Sequence, residues 1–89
     1  MPKRSNITAA TEVEMRNLRL SGAKLKQLID LRWQGSVRAF ADVIGKTHPT
    51  VYSWIDNKTR PDSDDLVKIA FHLGVRPHRV FRELYEEIN

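Results

Sequence analysis

Cysteine is absent from the 89 residues, which excludes disulfides and thiolate metal sites and gives no sign of an oxidising compartment. The three histidines, His48, His72 and His78, lie far apart and lack metal-ligand spacing, so neither metal nor cofactor is expected. No apolar run approaches the roughly 18 residues of a membrane-spanning helix. The opening segment, MPKRSNITAATE, is basic with no apolar stretch behind it. It does not read as a signal peptide, and a cytoplasmic location is the default. Paired carboxylates, a nucleophile with its base and a phosphate-cradling loop are missing too, so an enzyme is not expected. Neither a strand pattern nor an internal repeat stands out.

What is present is a globular mixture, 40% hydrophobic and 29% charged, in a chain long enough for one compact domain. The net charge of +4 is unevenly spread. Residues 1–46 carry nine Lys and Arg against four Asp and Glu, whereas residues 47–89 carry six against seven. A basic end and an acidic end suit a chain that turns one face to a polyanion, and equally a mildly basic domain with no such partner.

Residues 1–20 read as a basic arm. Within it, Thr11 and Glu14 form a capping box for a short helix near Glu12, or Val13, Met15, Leu18 and Leu20 run extended. The domain proper spans 21–89. Ser21 caps an amphipathic helix over 23–33, with Leu25, Leu28, Ile29, Leu31 and Trp33 as its apolar positions and Gly35 beyond its end. Ser36 caps a helix over 37–44, buried through Phe40, Ala41 and Ile44 and closed by Gly45. Thr47 caps a third helix from 48 to about 57, with Pro49 tolerated in its first turn and Val51, Trp54 and Ile55 on its apolar side. Asp62 caps a fourth, lined by Leu66, Ile69, Ala70 and Leu73 and ended by Gly74. Asp64 and Asp65 sit in its first turn, where the helix dipole favours negative charge. A fifth helix is predicted from 77 to about 87, docked by Val80 and Leu84. The expected fold class is therefore all-α, with five helices.

The stretch 36–75 joins two short helices by a three-residue turn containing glycine, the arrangement of a helix-turn-helix. Its spaced positions are Phe40-Ala41, Ile44-Gly45, Thr47, Val51, Trp54, Asn57-Lys58, Pro61, Leu66, Ile69-Ala70 and Leu73-Gly74-Val75. This pattern resembles the DNA-binding domain of the lambda/434 repressor and Cro family, also called the xenobiotic-response-element family. The resemblance covers about half the chain directly, and most of it if the first and fifth helices are counted. It implies a lambda-repressor-like five-helix domain that binds a double-stranded DNA operator by sequence and regulates transcription by occupancy. Because the chain ends soon after this domain, a minimal Cro-like repressor of phage, prophage or plasmid type is expected, working in a bacterial or phage-infected cell.

The resemblance also implies a division of labour. The third helix would lie in the major groove with His48, Pro49, Thr50, Tyr52 and Ser53 toward bases. Phosphate contacts would fall to Ser36, Arg38, Lys46, Thr47, Asn57, Lys58, Thr59 and Arg60. Many members carry glutamine where this chain has Val37, so the phosphate and base contacts of that glutamine do not transfer. His48 likewise stands where glutamine is usual. Lys3 and Arg4 read either as an arm along the DNA or as a solvated terminus. Phe81, Tyr85 and Ile88, left over on the fifth helix, suggest a dimer face, unless residues 12–20 fold back over them. Two rival readings use the same fold: an antitoxin whose partner is a toxin, and a restriction-modification control protein.

Overall fold

The computed structural model describes residues 18–88. Lys3, Arg4 and the helix expected near Glu12 lie outside them. The described chain is mostly helical with a small two-stranded antiparallel sheet. In order it forms β1 (Leu18–Leu20), α1 (Gly22–Arg32), α2 (Val37–Ile44), α3 (His48–Ile55) and α4 (Ser63–Leu73). A 3₁₀ turn (Pro77–Arg79), α5 (Val80–Leu84) and β2 (Tyr85–Glu87) follow.

The first four helices begin where the sequence predicts. Side-chain oxygens of Ser21, Ser36, Thr47 and Asp62 accept from the amides of Lys24, Ala39, Thr50 and Asp65 at 3.2, 3.1, 3.4 and 2.8 Å. Each such cap satisfies a donor that the helix cannot, for about 1 kcal/mol. Gly45 (φ 74°) and Gly74 (φ 71°) end α2 and α4 in the left-handed region.

The amphipathic faces converge on one core, in which Phe40, Leu25, Ile29, Ile69, Leu73, Leu84 and Val51 are fully enclosed. Trp54 is buried with them. Trp33 lies at the margin, its ring edge-on to Phe40 at 6.0 Å. Its indole Nε1 donates to the His72 carbonyl at 3.0 Å, satisfying an acceptor in the last turn of α4. Leu31, despite its place in the apolar series, faces outward and is 72% exposed.

The expectation of a mostly helical domain holds, but that of a helix from 77 to about 87 is corrected here, and a small strand pair is added to the helices. Helical backbone stops at Leu84, and Tyr85 is extended (φ −109°, ψ 159°). Strand β2 then pairs with β1 in the register Leu18↔Glu87, Arg19↔Glu86, Leu20↔Tyr85. Arg19 Nε and Glu86 Oε1 close a cross-strand ion pair at 2.9 Å. The carbonyls left at the end of α5 find donors in the start of α1. Leu84 O accepts from Ser21 N at 2.7 Å, and Lys24 Nζ donates to the carbonyls of Arg82 and Tyr85 at 3.2 and 2.7 Å. These partners, 58 or more residues away in sequence, provide what another helical turn would have provided. The spacing of Val80, Leu84 and Ile88 mimics a helical stripe, and strands of three residues are too short to show alternation.

One close approach sets the position of α1. A Cβ on Gly22 would lie 1.9 Å from the Ile55 carbonyl oxygen, so only glycine lets the start of α1 rest on the end of α3. Gly22 N donates to Asn57 Oδ1 at 3.0 Å. Asn57 itself holds φ 60°, a left-handed conformation that asparagine tolerates better than most residues.

Candidate nucleic-acid interface

The free ends of helices are the natural starting point for a polyanion site, because their first amides have no intrahelical acceptor and carry partial positive charge. The start of α4 is already compensated by Asp64 and Asp65. The start of α1 is covered, with Ser21 buried and Gly22 against the Ile55 carbonyl. The first turns of α2 and α3 hold no acidic residue, and their caps Ser36 and Thr47 are exposed.

A side-chain bond links these two first turns. Arg38, the second residue of α2, donates through Nε to Nε2 of His48, the first residue of α3, at 3.1 Å. Asp42 Oδ1 lies 3.9 Å from the same ring nitrogen, too far for a hydrogen bond. In the turn between the helices, Lys46 Nζ is 3.1 Å from Asp65 Oδ1, a carboxylate that is itself buried. That ion pair ties the turn to α4 and occupies part of the Lys46 charge. Lys58 and Arg60 are exposed beyond the end of α3.

The residues expected to face bases divide into free and engaged groups. Pro49 and Tyr52 are exposed on the outward side of α3. The hydroxyls of Thr47 and Thr50 are bonded to each other at 2.9 Å. Ser53 Oγ accepts from Thr59 Oγ1 at 2.8 Å, and the Ser53 carbonyl accepts from the amides of Lys58 and Thr59. The loop carrying Lys58, Thr59 and Arg60 is thereby strapped to the last turn of α3. Asn57, expected among the phosphate contacts, has its carbonyl oxygen committed to Gly22, leaving its amide group for any ligand. Arg38, expected there too, is instead linked to the leading residue of α3.

The residues of the expected dimer face fall on α5 and on the strand after it, with Ile88 directly following that strand. Tyr85 belongs to β2, is half-buried and meets Phe81 edge-on at 5.0 Å. Burial pushes its phenol pKa up, and the Arg60 charge pulls it partly back. Phe81 and Ile88 stay exposed. A larger apolar surface lies alongside, a groove of about 360 Å³ lined by Leu66, Val67, Phe71, Val75, Val80 and Phe81. Phe71 is 77% and Val67 69% exposed beside it. Sequence reasoning assigned the core stripe of α4 correctly through Ile69, Ala70 and Leu73 but passed over this pair. The signal was available: Val67 and Phe71 stand four apart, a second stripe that the core does not use.

Among the described residues no helix is long and apolar enough to cross a membrane, and no cluster of His, Asp or Glu is placed to hold a metal ion. Comparison with family models, with curated proteins and with solved structures finds nothing that matches this chain.

Proposed function

We propose that this protein is a sequence-specific double-stranded DNA-binding regulator of transcription, in which α2, the turn at 45–47 and α3 act as a helix-turn-helix. The observation that carries the reading is the bond between Arg38 and His48, which links the first turns of α2 and α3 beside their exposed caps, with Lys58 and Arg60 exposed beyond the far end of α3. Bare helix ends and exposed cations together suit a phosphate backbone. The likeness of the 36–75 stretch to the lambda/434 repressor and Cro family points the same way. In this mechanism α3 enters the major groove by its leading turn, with Arg38, His48, Pro49 and Tyr52 toward base edges. The amides above Ser36 and Thr47 meet phosphates together with Lys58 and Arg60. Regulation follows from occupancy of an operator, as in a Cro-like repressor.

A second copy of the chain is the partner this reading expects. Helix-turn-helix proteins commonly bind two half-sites one helical turn apart. The groove beside α4 combines a recess with a protruding Phe71, so one patch supplies both knob and hole for a two-fold pair. A Phe71→Asp chain should sediment as a monomer and lose affinity for paired half-sites. A groove that binds a different protein while the chain alone stays monomeric would favour the antitoxin reading.

The test of DNA binding is selection of duplexes from a random-sequence pool by the full chain, followed by affinity measurements at several salt concentrations. Enrichment of related, palindromic sites is expected. Lys58→Ala should weaken cognate and random duplexes alike and flatten the salt dependence by about one unit of slope. Failure to bind any duplex in dilute buffer would end the regulator reading.

A further inference from the structure

We infer that Arg38 and His48 act as one unit that reads a guanine, an inference that rests on the DNA-binding reading above. The Arg38 guanidinium has donors only, and its Nε–H points at His48 Nε2 at 3.1 Å. That nitrogen must therefore accept, so the single proton of the neutral ring sits on Nδ1. The one acceptor of the imidazole is consumed inside the protein. What the pair has left to offer is donors alone, the two Nη groups of Arg38 and Nδ1–H of His48.

A donor-only unit at the leading turn of α3 selects among base edges. Guanine presents two adjacent acceptors in the major groove, N7 and O6, whereas adenine pairs its acceptor with a donor and thymine sets its acceptor beside a methyl group. A guanidinium matches guanine in two-pronged fashion. Its bond to the ring at the start of α3 turns Arg38 toward the groove and restricts its swing, which lowers the cost of ordering a long side chain. Phosphate is the competing ligand for any arginine. Asp42, exposed and with its carboxylate 3.9 Å from the same ring nitrogen, sets a negative charge beside the pair. That charge opposes a phosphate and leaves an uncharged base edge as the better match.

The experiment uses the full chain and a random-sequence duplex pool, with parallel selections by the unaltered protein and by Arg38→Ala, Arg38→Lys and His48→Ala. The unaltered chain should enrich a guanine at one fixed position of each half-site. Changing that guanine to adenine, or to 7-deazaguanine, which lacks the N7 acceptor, should weaken binding by about tenfold. Arg38→Lys keeps the charge but not the two-pronged fit, so it should bind random duplexes normally and lose the preference at that position. His48→Ala should lose the same preference, and the double substitution should cost less than the product of the two single losses. Sites selected by the unaltered chain but with no invariant guanine, or a guanine preference that survives in Arg38→Lys, would overturn this inference and leave the DNA-binding reading standing. An unaltered chain that enriches nothing would overturn both.

Discussion

The corner made by α2 and α3 and the closure made by β1, α5 and β2 were built by different rules. Every boundary of the corner is local. Ser36 caps three residues ahead, Gly45 ends the helix it follows, and Thr47 caps the next. The closure is assembled from opposite ends of the described chain. Its strands, its Arg19–Glu86 pair and the Lys24 bonds to the end of α5 each join residues more than fifty positions apart. Short-range chemistry sets the shape of the corner, and long-range pairing decides how the chain is closed around it.

Two glycines make the contrast measurable. Gly22 has an ordinary backbone conformation but no room, since its Cβ would press on the Ile55 carbonyl. Gly22→Ala must push α1 off the end of α3 and break the bond to Asn57, and should destabilise the fold by about 3 kcal/mol or more in urea unfolding. Gly45 is the reverse case, with open space around it and φ 74°. Gly45→Ala carries only the conformational penalty, about 1 kcal/mol. Equal losses at the two sites would show that the packing of α1 on α3 is looser than described.

The sheet supplies the weaker tests. Arg19→Ala removes an ion pair whose members are each about one-third exposed, and should cost under about 1 kcal/mol, less still at high salt. A larger loss would mean that β1 depends on that pair rather than on Leu20, which is buried. The smallest effect is on pH dependence. Burial holds the Tyr85 phenol above its ordinary 10.0. Its contribution to stability is intact below that value and is lost as pH rises through the raised one, because the unfolded chain gives up the proton first. Tyr85→Phe should therefore flatten the fall in stability above pH 10. Tyr52→Phe, at an exposed position, is the control.

The same contrast explains what could be read from the amino acids. Four caps, two glycine stops and the burial of Phe40, Ala41, Ile44, Val51 and Trp54 were legible, because each follows from neighbours within a few residues. The strand pair was not, because Val80, Leu84 and Ile88 satisfy a helical period and nothing nearby announces a partner at Leu18–Leu20. The role of Gly22 is visible only once Ile55 stands against it. At the candidate interface the residue types were legible but their commitments were not. Asn57 turns inward to Gly22, Ser53 is strapped to Thr59, and Arg38 joins His48. Each of these bonds crosses between elements, which spacing along one helix cannot reveal.

Titration of the isotope-labelled chain with a selected duplex, followed through its backbone amide resonances, tests the central claim most directly. The account predicts that the largest shifts cluster at Arg38, Thr47, His48, Thr50, Tyr52, Lys58 and Arg60. Shifts confined to the face of Val67, Phe71 and Phe81, with the leading turn of α3 unmoved, would contradict it.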